Sequence, residues 1–327
     1  MTKLHLIQGE QDLVSNDFFS KDLGSNMARL NQIDDSSHPD AIRLTQEKVV
    51  EHIADTRYLP ILNNYTGHGL SDLKGAALMD RVDTKFIIPM ERLPLILAEL
   101  EADNAANYTA LEIDGNRLFT YHNTYFDTED YLFYRLHHQG KLNRFKVRHR
   151  YYQDTKTGFI EVKFKNNKGR TIKSRIKSLS PCLESQEVND FLTSKLVTNS
   201  NSFALKEPSA QLQAIQIGSY QRIALADEAS SERVTFDLNL NFQSANKYSD
   251  EAKSNVHLPQ MFIAELKQNK HNINSPFARL MARWEIRSNK FSKYCMGCSL
   301  VDPKLKANRF KPVLREMQKV RAIQNLH

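Results

Sequence analysis

Cysteine is scarce in this chain of 327 residues: three in all, too few for a disulfide framework. Cys295 and Cys298 form a C-x-x-C pair, but neither the βαβ unit of a redox motif nor two further zinc ligands accompany it. They read as semi-buried thiols on a C-terminal helix. No apolar run approaches the roughly 18 residues of a membrane-spanning helix. The N-terminus, MTKLHLIQGEQDLVSNDFF, has no apolar stretch ending in a cleavage site, so no secretory leader is expected. A reducing cytoplasm is the expected setting. No Gly-rich loop precedes a helix, so any phosphate would be held by side chains. The histidines, among them His122, His137, His138 and His149, lack metal-ligand spacing and read as structural or exposed. Without an aromatic stacking platform or an RRM, KH or zinc-knuckle signature, nucleic acid is not an expected partner.

What the chain does have is patterned basic charge. The formal net charge is +7, with 25% charged and 40% hydrophobic residues, an ordinary soluble composition with a bias toward anionic partners. Residues 1–75 are polar and weakly patterned, with a helix expected over 42–56, and read as an N-terminal extension. A main domain is expected over 76–300 and a basic amphipathic tail over 301–327. That tail fits a solvated terminal helix better than a membrane-surface or protein-binding segment. Strands are expected at 80–88, 117–127, 143–152, 158–166, 170–177, 217–226, 232–240 and 260–267, each bounded by turn chemistry. Amphipathic helices are expected at 91–103, at 185–196 with Ser185 as cap, and, broken, at 277–297. Many short strands with short connections imply an antiparallel sheet that curls or closes.

Several strands carry cations at every second position, and residues two apart share a face. FKVRHRYY (145–152) aligns Lys146, Arg148 and Arg150. IEVKFK (160–165) aligns Glu161, Lys163 and Lys165 opposite Ile160, Val162 and Phe164. DRVDTKF (80–86) places Arg81, Asp83 and Lys85 together, and TIKSR (171–175) places Lys173 with Arg175. GSYQRIAL (218–225) pairs Tyr220 with Arg222, RVTFDLNL (233–240) aligns Arg233, Thr235 and Asp237, and IAELK (263–267) pairs Glu265 with Lys267. Taken alone, such a strand reads first as a solvated basic face, with neutralising cross-strand pairs in DRVDTKF. Together they point to a basic cavity for a polyanion, with Arg148 and Arg150 foremost because guanidinium forks grip phosphate bidentately. Tyr151 and Tyr152 are either core or flank a base. Spacing leaves open which faces point inward.

Carboxylates among these cations are either structural partners or ligands of Mg²⁺ or Mn²⁺, which binds through one or two carboxylates and bridges phosphate oxygens. Glu265 is the best metal candidate; Glu161, Asp83 and Asp127 follow.

The ordered segments DRVDTKF, YFDT, KVRHRYY, IEVKFK, SYQRIAL, RVTFDLNL, FIAELK and KFSKY resemble the VTC domain, the polyphosphate polymerase domain of the vacuolar transporter chaperone family. That domain is grouped with the triphosphate tunnel metalloenzymes and CYTH-type phosphatases. The resemblance covers roughly residues 76–300. It implies an α+β fold built on an antiparallel eight-stranded β-barrel whose tunnel holds a nucleoside triphosphate and growing polyphosphate. It implies phosphate contacts from Lys85, Arg148, Arg150, Lys163, Arg222 and Arg233, with Tyr220 in the cradle and Lys267 beside Glu265. KFSKY would add Lys290, Ser292 and Lys293, and Lys173 and Arg175 would add basic side chains. Glu265 would hold a divalent cation, Mn²⁺ or Mg²⁺, with Glu161 as second ligand. Asp83 stands where the CYTH relatives are Glu-rich. The first 75 residues do not resemble the phosphate-sensor domain of eukaryotic members. The implied activity is ATP-dependent polyphosphate synthesis. A triphosphatase using water as acceptor and a non-catalytic polyanion-binding module are the alternatives.

Overall fold

Alternation of apolar and charged residues dictates strands whose two faces meet different surroundings, and β6 (Thr157–Lys165) shows this most clearly. Ile160, Val162 and Phe164 are buried against Val188, Leu192 and Leu196 of α4 (Gln186–Leu196), while Glu161, Lys163 and Lys165 occupy the other face. Ser185 caps α4 by accepting from Val188 N at 3.4 Å, as the sequence predicts. The computed structural model describes residues 56–72, 82–104, 106–197, 205, 207–245 and 255–323. The helix expected at 42–56 falls almost entirely outside them, as do Asp80 and Arg81.

The principal strands are β2 (Val82–Pro89), β4 (Phe119–Asp127), β5 (Arg144–Tyr152), β6, β7 (Thr171–Lys177), β8 (Gln213–Asp227), β9 (Glu232–Ser244) and β11 (Met261–Gln268). They pair antiparallel in the order β2-β11-β9-β8-β4-β5-β6-β7. Short strands β1 (Gly67–His68), β3 (Thr109–Leu111) and β10 (Asn255–Leu258) attach to this path.

The expected closed barrel is corrected: among the described residues β2 and β7 do not pair, and the sheet stays open between them. The outer edge of β2 is already occupied, since Ser288 bridges Phe86 and Asn289 N donates to Lys85 O at 2.7 Å. β7 is largely exposed and carries Lys173, Arg175 and Lys177, a charged edge of the kind that resists further pairing.

One face of the sheet is sealed by apolar packing. Phe86, Ile88, Phe236, Phe262 and Leu266 pack with α1 (Tyr58–Asn64), α2 (Leu93–Ala102) and α6 (Pro276–Arg283). The opposite face is apolar only in part. There Ile87, Leu240, Met261 and Ile263 meet α7 (Lys293–Val301) and α8 (Lys311–Ile323). The C-terminal segment is thus not the solvated helix expected: Phe310, Val313, Met317 and Val320 are buried in this cluster. Cys295 and Cys298 are free thiols buried in it too. Gly297 lets α7 approach the sheet, because a Cβ there would stand 2.8 Å from Phe242 and 2.9 Å from Gln216. No described helix is long and apolar enough to cross a membrane.

Candidate functional site

Beyond the apolar cluster, the same face of the sheet becomes charged: Lys85 stands two residues before Ile87 on β2, and its partner Glu265 two residues after Ile263 on the antiparallel β11. Lys85 and Lys146 show that the sheet curls around this region. Lys85 Nζ donates to Phe291 O at 3.1 Å, and Lys146 Nζ donates to Ser292 Oγ at 2.8 Å. β2 and β5 are five places apart in the sheet, which is about 24 Å if flat. Two side chains reaching adjacent residues across that separation require strong curvature. The N-terminus of α7, capped by Ser292 Oγ accepting from Cys295 N at 3.3 Å, stands where they meet.

A β-bulge sets the inward set on β9. Ser219 pairs with Asn241 and Gln221 with Leu238, so Asn239 and Leu240 together oppose Tyr220. Asn239 takes a left-handed backbone, φ 50°, which asparagine tolerates better than most residues. The extra residue turns Asp237 toward the charged face, and the strand period carries Thr235 and Arg233 with it.

Three carboxylates are gripped by cations. Asp237, fully buried, takes a bidentate fork from Arg222 (Nε to Oδ1 2.5 Å, Nη2 to Oδ2 2.8 Å) and a further bond from Lys293 Nζ. Glu161 Oε2 accepts from Arg148 Nε at 2.7 Å and Nη2 at 2.5 Å. Glu265 lies between Lys267, 3.1 Å, and Lys85, 3.6 Å. Burial alone would raise each of these carboxyl pKa values. Their neighbours reverse it: Arg222 and Lys293 for Asp237, Arg148 and Arg150 for Glu161, Lys267 and Lys85 for Glu265, all held below the usual carboxylate range.

Cations still outnumber carboxylates. Lys163 makes no hydrogen bond or ion pair with a described residue, and burial beside Arg148 and Arg150 lowers its pKa well below the usual lysine value. Lys146 and Lys267 are pushed down to about 8, chiefly by burial. Arg150 meets Asn123 Oδ1 at 3.3 Å and the rings of Tyr121 and Tyr152 at 5.6 and 5.9 Å. Arg222 lies over Tyr121 and Tyr220, and Lys293 Nζ sits 4.5 Å from the Tyr220 ring centre. The Tyr220 hydroxyl is buried without a partner. Burial would raise its pKa, but Arg150 and Arg222 draw it below the ordinary tyrosine value. Half-buried cations without counter-ions, around an unpartnered hydroxyl, are an arrangement that a bound anion completes.

Not every expected residue joins this centre. Lys173 and Arg175 are exposed on β7, opposite Lys163 and Glu161. Lys290 is exposed. Arg233, by contrast, shares the charged face of β9 and pairs in register with Lys267. Glu161, expected as a second metal ligand, instead has Oε2 taken by Arg148. Asp127 is not a site residue: it accepts from the backbone N of Thr128, Phe133 and Tyr134 and from the Tyr294 hydroxyl, anchoring α3 (Leu132–His138). Asp83 is exposed. Asp237 and Lys146 belong to the centre although neither stands among the site residues expected from sequence. Lys146 was visible in the β5 ladder.

The family profile of the VTC domain matches residues 80–302. The chain belongs to the VTC domain family. Comparison with curated proteins finds no match. Among solved structures, a Vibrio parahaemolyticus protein assigned as a candidate adenylate cyclase shares 13% identity at TM-score 0.34, over 65% of this chain and 94% of that one. A conserved hypothetical protein of Pyrococcus furiosus shares 9% at TM-score 0.35, over 66% and 99%. A Hippeastrum protein, assigned as a candidate adenylyl cyclase with dominant triphosphatase activity, shares 11% at TM-score 0.37, over 67% and 95%.

Among the described residues no three His, Cys, Asp or Glu side chains group as a metal site. Glu265 Oε1 and Oε2 each face one lysine ammonium, at 3.6 and 3.1 Å, and no guanidinium fork holds them. This fits a cation bound through one carboxylate and completed by substrate phosphate and water, the usual habit of Mg²⁺.

Proposed function

We propose that this VTC-family chain transfers phosphoryl groups on a linear phosphate anion, and that its reaction is ATP-dependent polyphosphate synthesis. The observation that carries the reading is the convergence of Lys85, Lys146, Arg148, Arg150, Lys163 and Arg222 from four strands onto one centre with too few carboxylates to neutralise them. Family membership supports phosphoryl transfer as the class of chemistry. A terminal oxygen of the phosphate chain attacks the γ-phosphorus of ATP, the bond from that phosphorus to the bridging oxygen breaks, and ADP leaves with the electron pair. The residues position the reactants and neutralise charge; none acts as a covalent nucleophile.

In this reading Arg148, Arg150 and Lys85 hold the reacting phosphates. Glu161 fixes the Arg148 fork, and Asp237 fixes Arg222 and Lys293. Lys163, Arg233, Lys267 and Ser292 extend the cradle, and the Tyr220 hydroxyl donates to a phosphate oxygen. Lys173, Arg175 and Lys290 line the approach. Glu265 would hold Mn²⁺ or Mg²⁺, which supplies Lewis-acid neutralisation of the phosphate oxygens.

The test incubates purified protein with ATP and Mn²⁺ and resolves the products on a polyphosphate gel. Long chains are expected. Free phosphate or pyrophosphate without chains would instead make water the acceptor, and tight polyphosphate binding with no turnover would make the protein a binding module. Glu265→Gln should abolish the metal-dependent turnover; full manganese-dependent activity in that variant would discard the metal assignment.

A further inference from the structure

The charged face of β6 carries one apolar side chain, Phe159, two residues before Glu161. It is half-buried, and among the described phenylalanines it alone belongs to none of the three hydrophobic clusters. Its surroundings are planar and cationic. The Arg175 guanidinium lies 4.5 Å over its ring centre, and the Tyr152 ring stands 6.1 Å away, edge-on at 88°. Arg150, the Cα partner of Phe159 across the β5–β6 ladder, lies 5.9 Å from the Tyr152 ring. A half-buried phenyl ring left out of every core, with a guanidinium over it and a second ring edge-on to it, is a surface of the kind on which a planar group stacks.

Two residues along a strand cover about 7 Å. That step separates Phe159 from Glu161 and the Arg148 fork, a gap the ribose of a nucleotide spans. We propose that Phe159 and Arg175 form the platform on which the base of a nucleoside triphosphate stacks, with its phosphates running inward to Arg150 and Arg148. This rests on the phosphate-binding reading above and adds the direction in which a nucleotide enters. The orientation follows from the order of chemistry along β6: aromatic at Phe159, then the carboxylate-fixed fork at Glu161, then the unpaired ammonium at Lys163. Stacking of this kind is tolerant of base identity.

Isothermal titration with ATP and with inorganic tripolyphosphate separates base from phosphate. Loss of one stacked base weakens binding by about 5- to 150-fold. Phe159→Ala should therefore weaken ATP by that factor and leave tripolyphosphate affinity unchanged, while Phe159→Trp keeps both. Equal weakening of the two ligands, or of neither, overturns the platform and leaves the phosphate site standing. Wild-type protein that binds neither ligand refutes the phosphate reading itself, and the platform with it. Should Phe159→Ala not fold, Phe159→Leu keeps apolar volume without the aromatic face and decides the same comparison.

Discussion

Asp237→Asn is the substitution whose consequences the geometry fixes most tightly. The carboxylate is fully buried and binds Arg222 through both oxygens and Lys293 through one. The amide removes the charge and turns an NH₂ group toward one of the two cations. Breaking a buried pair by removing one partner costs about 3–5 kcal/mol. For a unit of this size each kcal/mol moves the melting temperature by about 2–4 °C, so the empty variant should melt roughly 6–20 °C lower. The two orphaned cations would then bind phosphate more tightly, because an anion restores the neutralisation that the carboxylate supplied. Differential scanning fluorimetry with and without saturating tripolyphosphate should therefore show a larger upward shift in the variant than in the wild type. Equal shifts, or an unchanged melting temperature in the empty variant, would refute the view that Asp237 is the resident counter-ion of a phosphate site.

Arg148→Ala should lower turnover by about 10²-fold, the usual scale for one preorganised electrostatic donor. Arg148→Lys should not restore it, because an ammonium cannot reproduce the fork on Glu161. Steady-state kinetics decide both. Burial pushes Lys146 and Lys267 down to about 8 in the folded protein, below the unfolded lysine value of about 10.4. Between those values the unfolded chain binds more protons, so stability of the empty protein should rise as pH climbs through that window. Tripolyphosphate affinity should fall over the same window, with proton uptake on binding; calorimetry in two buffers of different ionisation enthalpy measures it. Asp237, Glu161 and Glu265 have folded pKa values below their unfolded ones, so their contribution to stability is complete above the ordinary carboxylate range and is lost as pH falls below about 4. Acid unfolding monitored by circular dichroism should begin there, and earlier in Glu161→Gln. Asn239→Val places a β-branched residue in a left-handed conformation and should cost at least about 1–2 kcal/mol, while Asn239→Gly, which suits the backbone and loses only the bond from Asn239 Nδ2 to Gln221 Oε1, should cost less in chemical denaturation.

Alternation, β-branched and aromatic enrichment and turn chemistry made all eight principal strands legible, although β4 has no charged face and β8 and β9 run further than expected. Alternation also named most of the cations that converge. What it could not supply is which face turns inward, and β9 shows why. Val234, Phe236, Leu238, Leu240 and Phe242 read as one unbroken alternation. Yet the first three pack with α2 and α6, and the last two pack with α7 on the opposite face. The switch is the bulge at Asn239. Because the side-chain period is two, one extra residue exchanges the faces of everything beyond it. Without it, alignment with Leu240 and Phe242 would send Asp237 and Arg233 into the apolar layer against α2, where unpaired charge is costly. The charges of β9 and the apolar residues after them are compatible with one sheet only if the strand changes parity between them. The sequence sign of that change is an asparagine within a strand, a residue that tolerates the left-handed backbone. A reading that counts alternation alone passes over it, and with it the placement of Asp237.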